Sequence, residues 1–249
     1  MMDLKVFIGW DSREDIAFQV AKHSIKKHNP NVKVYPLKLP TLQELGIYTR
    51  GVDAKASTEF TFSRFFVPML TGYKGWALFI DCDFLCMTDI NELFKQANDN
   101  YAVMVAKHDY TPKEGTKMDG KQQLQYPRKN WSSCMLWNCE HPSNRLLDQN
   151  AMNSNDGLWH HRFVWLADHE IGQISHEWNW LTDWYTAPDD GTPKCCITLK
   201  VVRGSSIYKM FHMPKNGVMH MLITSQLCKT LLKTRLHGMM AVGDNVCQN

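Results

Sequence analysis

The segment from Trp76 to Asp89 constrains this chain more than any other, because five apolar residues, Trp76 to Ile80, run straight into Asp81-Cys82-Asp83. A short unbroken apolar run of this kind suits a strand buried on both faces. A buried strand that surfaces on paired carboxylates holds two hard oxygen donors at the lip of a sheet, where a divalent cation and a phosphate can meet. Strand alternation predicts Asp81 and Asp83 on one side and Cys82, packed inward, on the other.

The rest of the chain to residue 186 reads as alternating strands and helices with no internal repeat and no linker. Leu4 to Ile8 is a first strand ending at Gly9-Trp10-Asp11-Ser12. Ile16, Val20, Ala21, Ser24 and Ile25 then recur at helical spacing, with Asp11 or Ser12 placed to cap. Val32, Val34, Leu37 and Leu39 form a second strand, and the nearby Pro36 and Pro40 suit an edge position. Thr58 to Leu70 predicts one short helix, apolar at Phe62, Phe65, Phe66 and Met69, with Arg64 on its more polar side. Asp89 and Glu92 stand in capping-box register. Strands are expected at Tyr101 to Ala106 and Cys134 to Trp137, and helices near Pro142 to Ala151 and Leu158 to Leu166.

At 249 residues with 44% hydrophobic content, one α/β domain is the expectation. No apolar run is long enough to span a membrane, and the opening enters a strand pattern without a signal peptide's layout, so a cytoplasmic location is expected. The eight cysteines lack paired knuckle spacing and read as buried free thiols instead of a zinc site. The net charge of +3 is uneven: residues 1 to 194 carry 21 Lys+Arg against 24 Asp+Glu, and residues 195 to 249 carry 7 against 1. A mildly acidic body argues against a nucleic-acid partner, which needs a concentrated basic surface.

With these motifs in order, the chain resembles the glycosyltransferases of GT-A fold, and among them glycosyltransferase family eight, the glycogenin and bacterial lipopolysaccharide glycosyltransferase-like group. The resemblance covers about residues 4 to 186. Ile8-Gly9-Trp10-Asp11 resembles the family's first strand, whose Asp lies by the base. Phe62-Ser63-Arg64-Phe65 resembles its arginine-bearing helix near the donor. Phe79-Ile80-Asp81-Cys82-Asp83 with Thr88-Asp89-Ile90 resembles its metal-binding Asp-x-Asp motif. Asn130-Trp131-Ser132-Ser133 resembles the segment lining the sugar site. Ala167-Asp168-His169-Glu170 resembles an Asp-Gln-Asp segment, with His-Glu in place of the usual Gln-Asp.

The resemblance implies an α/β fold: a single GT-A domain over residues 1–194, with a mixed central sheet flanked by helices and an irregular tail over residues 195–249. It also implies a hexosyl transfer from a nucleotide-diphospho-sugar donor with Mn2+ or Mg2+ held by Asp81 and Asp83. Gly9, Trp10, Asp11, Arg64, Asp81, Cys82, Asp83, Asn130, Ser132 and Ser133 would bind the donor. Asp168 and Glu170 would recognise or activate a hydroxyl, with helix-terminus capping as their other reading. The acceptor would be a glycan, a lipid-linked or a protein acceptor, and the configuration is expected to be retained. Trp178 and Trp180 would stack on sugar faces or fill the core, and His108, His160, His161 and His176 read as structural or surface residues.

The tail does not follow the family, which has a segment after its last strand whose His completes the metal site. Here Lys194 leads into Cys195-Cys196-Ile197 and a Met-, Cys- and Lys-rich stretch. Back-translating from Lys194 and joining each codon's third base to the next two is compatible with Val/Met-Leu-His-Tyr-Thr-Glu-Gly-Gly-Pro-Trp-Phe, the missing motif in another frame. The expectation is a one-base slip near Lys194, an out-of-frame and poorly packed tail, and weak activity. A tail binding an acidic membrane surface is the alternative for that segment. For the whole chain the alternatives are an inactive sugar-nucleotide-binding relic and a haloacid-dehalogenase-like phosphatase, whose first Asp would be a nucleophile.

Overall fold

The computed structural model describes residues 4–54, 56–108, 128, 131–182, 184–187 and 189–197. The chain divides into Met1–Leu199 and Lys200–Asn249, and the second unit lies outside the described residues, as does the expected poor packing of that part of the tail.

Among the described residues, nine strands build two sheets. In chain order they are β1 Lys5–Gly9, β2 Lys33–Leu37, β3 Trp76–Ile80, β4 Phe84–Cys86, β5 Val103–Val105, β6 Cys134–Asn138, β7 Ile171–Gln173, β8 Trp180–Leu181 and β9 Cys195–Ile197. The larger sheet has the order β2-β1-β3-β6-β5-β7, and the smaller has β4-β9-β8. In the larger sheet β1, β2, β3, β5 and β7 run one way, while β6 runs antiparallel between β3 and β5. Its central strands are buried on both faces, which is why they read as unbroken apolar runs. β2 is the edge, exposed along most of its length, and its Pro36 withholds only an N–H that a single parallel neighbour can spare.

Six short helices accompany the strands: α1 Asp15–His28, α2 Leu39–Glu44, α3 Val67–Leu70, α4 Asn91–Phe94, α5 Gln149–Ser154 and α6 Gly157–His161. α1 buries Ala17, Phe18, Val20, Ala21, Ser24 and Ile25, so its apolar face is rotated from the expected one and Ile16 is exposed. α1 also carries the smaller sheet, since the Cys86 N–H donates to Ser24 Oγ at 3.0 Å. Just past its end, Asn29 Oδ1 accepts from the Ile90 N–H at 3.0 Å, and its amide donates to Asp89.

Several local expectations are corrected. Neither Asp11 nor Ser12 caps α1: Glu14 holds the N-cap position without a side-chain bond. Asp89 and Glu92 form no reciprocal box, because Asp89 accepts from the Asn91 N–H at 2.8 Å and Glu92 pairs with Lys95 at 2.7 Å. The Thr58 to Leu70 helix is two pieces, a 3-10 turn over Ser63–Phe66 and then α3. The helix near Pro142 likewise divides into a 3-10 turn and α5, which Asp148 caps. At the start of the expected tail, Cys195–Ile197 form β9, and Cys195 and Cys196 are buried between β4 and β8. The six described cysteines are all buried and unbridged.

The core beneath the first strands is aromatic. Phe65, fully buried, has its ring centroid 6.5 Å from Trp137, 6.1 Å from Phe163 and 6.1 Å from Trp165. Trp178 and Trp180 are buried too, so both fill the core. Phe65→Ala should lower unfolding stability by about 3–5 kcal/mol, read as a fall in the denaturant midpoint at unchanged slope.

Candidate active site at the junction of two sheets

Asp81, Cys82 and Asp83 are not strand residues: they form the turn by which the chain leaves β3 of the larger sheet and enters β4 of the smaller one. The expected separation of faces holds for a different reason, as Cys82 turns inward and is buried while both aspartates remain partly accessible. The Cys82 thiol donates to Glu14 Oε2 at 3.4 Å, which draws the start of α1 against the turn. Burial and the surrounding carboxylates push that thiol far up.

Arg64 is only 6% exposed, so it does not lie on a polar helix side. Its Nη1 stands 2.8 Å from Asp81 Oδ1 and donates to the Ser132 carbonyl at 2.9 Å, and Nε donates to the Phe60 carbonyl at 3.3 Å. A buried guanidinium needs this many acceptors, because an unpaired buried charge is costly. The Asp81 N–H in turn donates to the Ser133 carbonyl at 3.0 Å. Ser133 and Asn179 are joined side chain to side chain at 3.0 Å, and Ser132 Oγ meets His161 Nδ1 at 2.8 Å. Arg64, Asp81, Ser132 and Ser133 are therefore one hydrogen-bonded unit at the end of β3.

Although part of the Asp81 side chain meets solvent, its Oδ1 is sealed, as is Asp83 Oδ1, which has no hydrogen-bond partner among the described residues. Burial pushes the Asp81 carboxyl up to about 6 despite the Arg64 charge. Burial, reinforced by the charges of Asp81 and Glu14, pushes Asp83 up to about 8. Two carboxylates that resist ionisation beside one another suit a bound cation, which would supply the missing positive charge. Among the described residues, no group of three or more His, Cys, Asp and Glu is placed to hold a metal ion together. Two carboxylates with water and substrate phosphates complete the shell that Mg2+ prefers, so the pair fits such a cation.

Gly9 ends β1 beside this unit, and a Cβ there would meet the Phe60 ring at 2.5 Å. Trp10 is half-buried, donates to Asp15 Oδ1 at 2.9 Å and lies under Lys38, whose Nζ is 4.8 Å from the ring centroid. Asp11 is fully buried and serves the scaffold: it accepts from Arg13 N at 2.9 Å, Arg13 Nε at 2.8 Å and Glu59 N at 3.1 Å. Asn130 and the Thr111 to Gln125 loop lie outside the described residues.

Glu170 is not brought to this unit, whereas Asp168 pairs with Arg128, whose guanidinium lies 5.8 Å from the ring of Trp131, next to Ser132 in the chain. Ile171 of β7 pairs with Val103, Val103 with Trp137, and Trp137 with Ala77, so Glu170 lies beyond the end of the sheet at which β3 starts. Three strand spacings, about 14 Å, further separate β7 from β3. Glu170 accepts from the Ala167 N–H at 2.8 Å and from the Ser143 hydroxyl, while Asp168 is 92% exposed and pairs with Arg128. The capping reading fits Glu170. Sequence reasoning missed Glu14 and His161: the first is an ordinary helix-start acid, and the second was one of several scattered histidines.

For Asp11, burial raises the carboxyl, but bonds from Arg13 and Glu59 outweigh it and the net shift is downward. The stabilisation is therefore present above the unfolded value near pH 4 and is lost as pH falls through the lower folded value. Asp11→Asn should cost about 2 kcal/mol at pH 7, and the gap to the parent should shrink as pH falls from the unfolded carboxylate value of about 4 through the lower folded one in acid-unfolding curves.

No family model matches the chain. Protein CDI of Arabidopsis thaliana is 51% identical over 178 residues, 71% of this chain and 69% of that protein. Among solved structures, the apo-form glycosyltransferase GlyE of Streptococcus pneumoniae TIGR4 superposes with a TM-score of 0.51 at 15% identity, covering 77% of this chain and 53% of its own. The bifunctional glycosyltransferase WbbM, also apo, gives a TM-score of 0.53 at 14% identity, covering 78% of this chain and 45% of its own. This chain thus spans about half of either enzyme. The likeness fixes the fold, a mixed central sheet flanked by helices as in GT-A glycosyltransferases. By its identity to the plant protein, the chain belongs to the family of Protein CDI.

Proposed function

We propose that this chain is a glycosyltransferase of the family-eight kind that moves a hexosyl group from a nucleotide-diphospho-sugar to a hydroxyl of a glycan, lipid-linked or protein acceptor. The observation that carries the reading is the pair Asp81 and Asp83, with its sealed Asp83 oxygen, at the β3 lip of a glycosyltransferase-type sheet. Supporting it are the Arg64 and Ser132–Ser133 unit bound to the same lip.

In this reading Asp81 and Asp83 would hold Mn2+ or Mg2+, which when bound offsets negative charge on a diphosphate leaving group. Arg64 fixes the Asp81 carboxylate and adds positive charge beside it. Gly9 and Trp10, at the end of β1, would meet the nucleoside, and Ser132 and Ser133 the sugar. Transfer breaks the bond from sugar C1 to the diphosphate oxygen and makes one from C1 to the acceptor oxygen, whose proton leaves to the diphosphate or solvent. Retention of configuration is part of the proposal. In this reading Asp168, paired with Arg128 beside Trp131, would recognise or activate a hydroxyl, and Glu170 would serve as the cap of its own turn. A phosphatase fits less well, because Asp81 is already engaged by Arg64 and the fold is a glycosyltransferase's.

The proposal includes the frame slip near Lys194. Ile197 pairs with Phe84, the residue directly after Asp83, so the histidine of the alternative frame would fall near position 197, beside the aspartates. The 178-residue match to the plant protein is short enough to lie within residues 1 to 194. Calorimetry with UDP-, GDP- and CMP-sugars and Mn2+ should give metal-dependent donor binding for this chain with slow or no turnover, and at least tenfold faster donor hydrolysis for a frame-restored chain. Donor binding indifferent to Mn2+ and to Asp83→Asn would reject the transferase reading, and an intact frame on resequencing would reject the slip.

A further inference from the structure

We infer that Glu14 is the outer carboxylate of the cation site, setting its charge and holding its turn without ligating the ion directly. This rests on the cation-assisted reading above and assigns a role to a residue outside the Asp-x-Asp motif. Glu14 belongs to the first turn of α1, where its backbone carbonyl accepts from the Ala17 N–H at 2.9 Å. Its side chain turns away from the helix to the Cys82 thiol, which lies between the two aspartates in sequence. It is near enough for its charge to act on both Asp81 and Asp83.

The charge balance gives the role. Arg13, whose charge also reaches Glu14, is balanced by its own partner Asp11, so Glu14, Asp81 and Asp83 counted as carboxylates against the Arg64 guanidinium leave two net negative charges, the complement of one divalent cation. Without Glu14 the balance falls to one, which a monovalent ion would match as well. The second pointer to a ligand is the Asp83 Oδ1 atom, shut from solvent with no hydrogen-bond partner among the described residues. The three carboxylates are not placed to share an ion directly, so Glu14 acts through its field or through a water.

The test titrates Mn2+ into the full chain, following free Mn2+ by electron paramagnetic resonance, with thermal unfolding read in parallel. Glu14→Gln keeps an acceptor for Cys82 and removes only the charge. It should weaken Mn2+ binding about tenfold while leaving the cation-free Tm unchanged or slightly higher, since a repulsion is relieved. Glu14→Asp, which retains the charge, should stay within about threefold of the parent. Unchanged Mn2+ affinity in Glu14→Gln overturns the inference, and so does a fall in cation-free Tm that accounts for the lost affinity. Binding abolished by Asp83→Asn but indifferent to Glu14→Gln sinks this role alone. Absence of Mn2+ uptake by the parent chain sinks the cation-assisted reading with it.

Discussion

The buried pair of Arg64 and Asp81 is the contact on which the rest of this structure depends. A guanidinium with 6% exposure survives in a core only if its donors are met, and here the partners come from distant parts of the chain: Phe60, Asp81 and Ser132. The pair therefore fixes the loop before α3, the exit of β3 and the entry of β6 to one another. Removing either partner would leave the other charged and buried, a larger loss than the pair's own net contribution. The aromatic packing of Phe65 with Trp137, Phe163 and Trp165, one residue along, supplies the apolar side of the same junction.

Much of the fold could be read from the residues because the central strands are covered on both faces, and such strands are written as apolar runs. Trp76–Ile80 and Cys134–Asn138 were legible for that reason, and Lys33–Leu37 because two prolines marked an edge. Periodicity misled where the chain is short-ranged and irregular. Ser63–Phe66 is a 3-10 turn with all four residues buried, so it offers no polar side for Arg64 to occupy. Cap residues failed because Asp11 and Asp89 each accept from the residue two places on, Arg13 and Asn91, and from a distant partner as well, Glu59 and Asn29.

The candidate site was partly legible. Asp81, Asp83, Arg64, Ser132 and Ser133 converge, because a motif on one strand end and the residues that follow on its antiparallel neighbour are brought together by register alone, Ile80 facing Cys134. Asp168 and Glu170 were matched by similarity of string, and the distance of Glu170 from the others follows from a property absent from the string, the parallel pairing of β7 with β5. The break between β3 and β4 was hidden for a related reason: both flanks are apolar, so a change of sheet looks like one long strand.

That change of sheet has a mechanical consequence. The smaller sheet is fastened to α1 through Ser24, and the segment that follows β4 is held at Ile90 by Asn29, just past the helix, while α1 is the element next after β1 of the larger sheet. The turn bearing the two acidic groups is thus clamped from both ends and from beneath, and its oxygens cannot drift apart unless a whole helix lifts. If the proposed cation sits there, a stiff turn would work as a gauge of ionic radius, and discrimination among cations would be set by stiffness as much as by the chemistry of the donors.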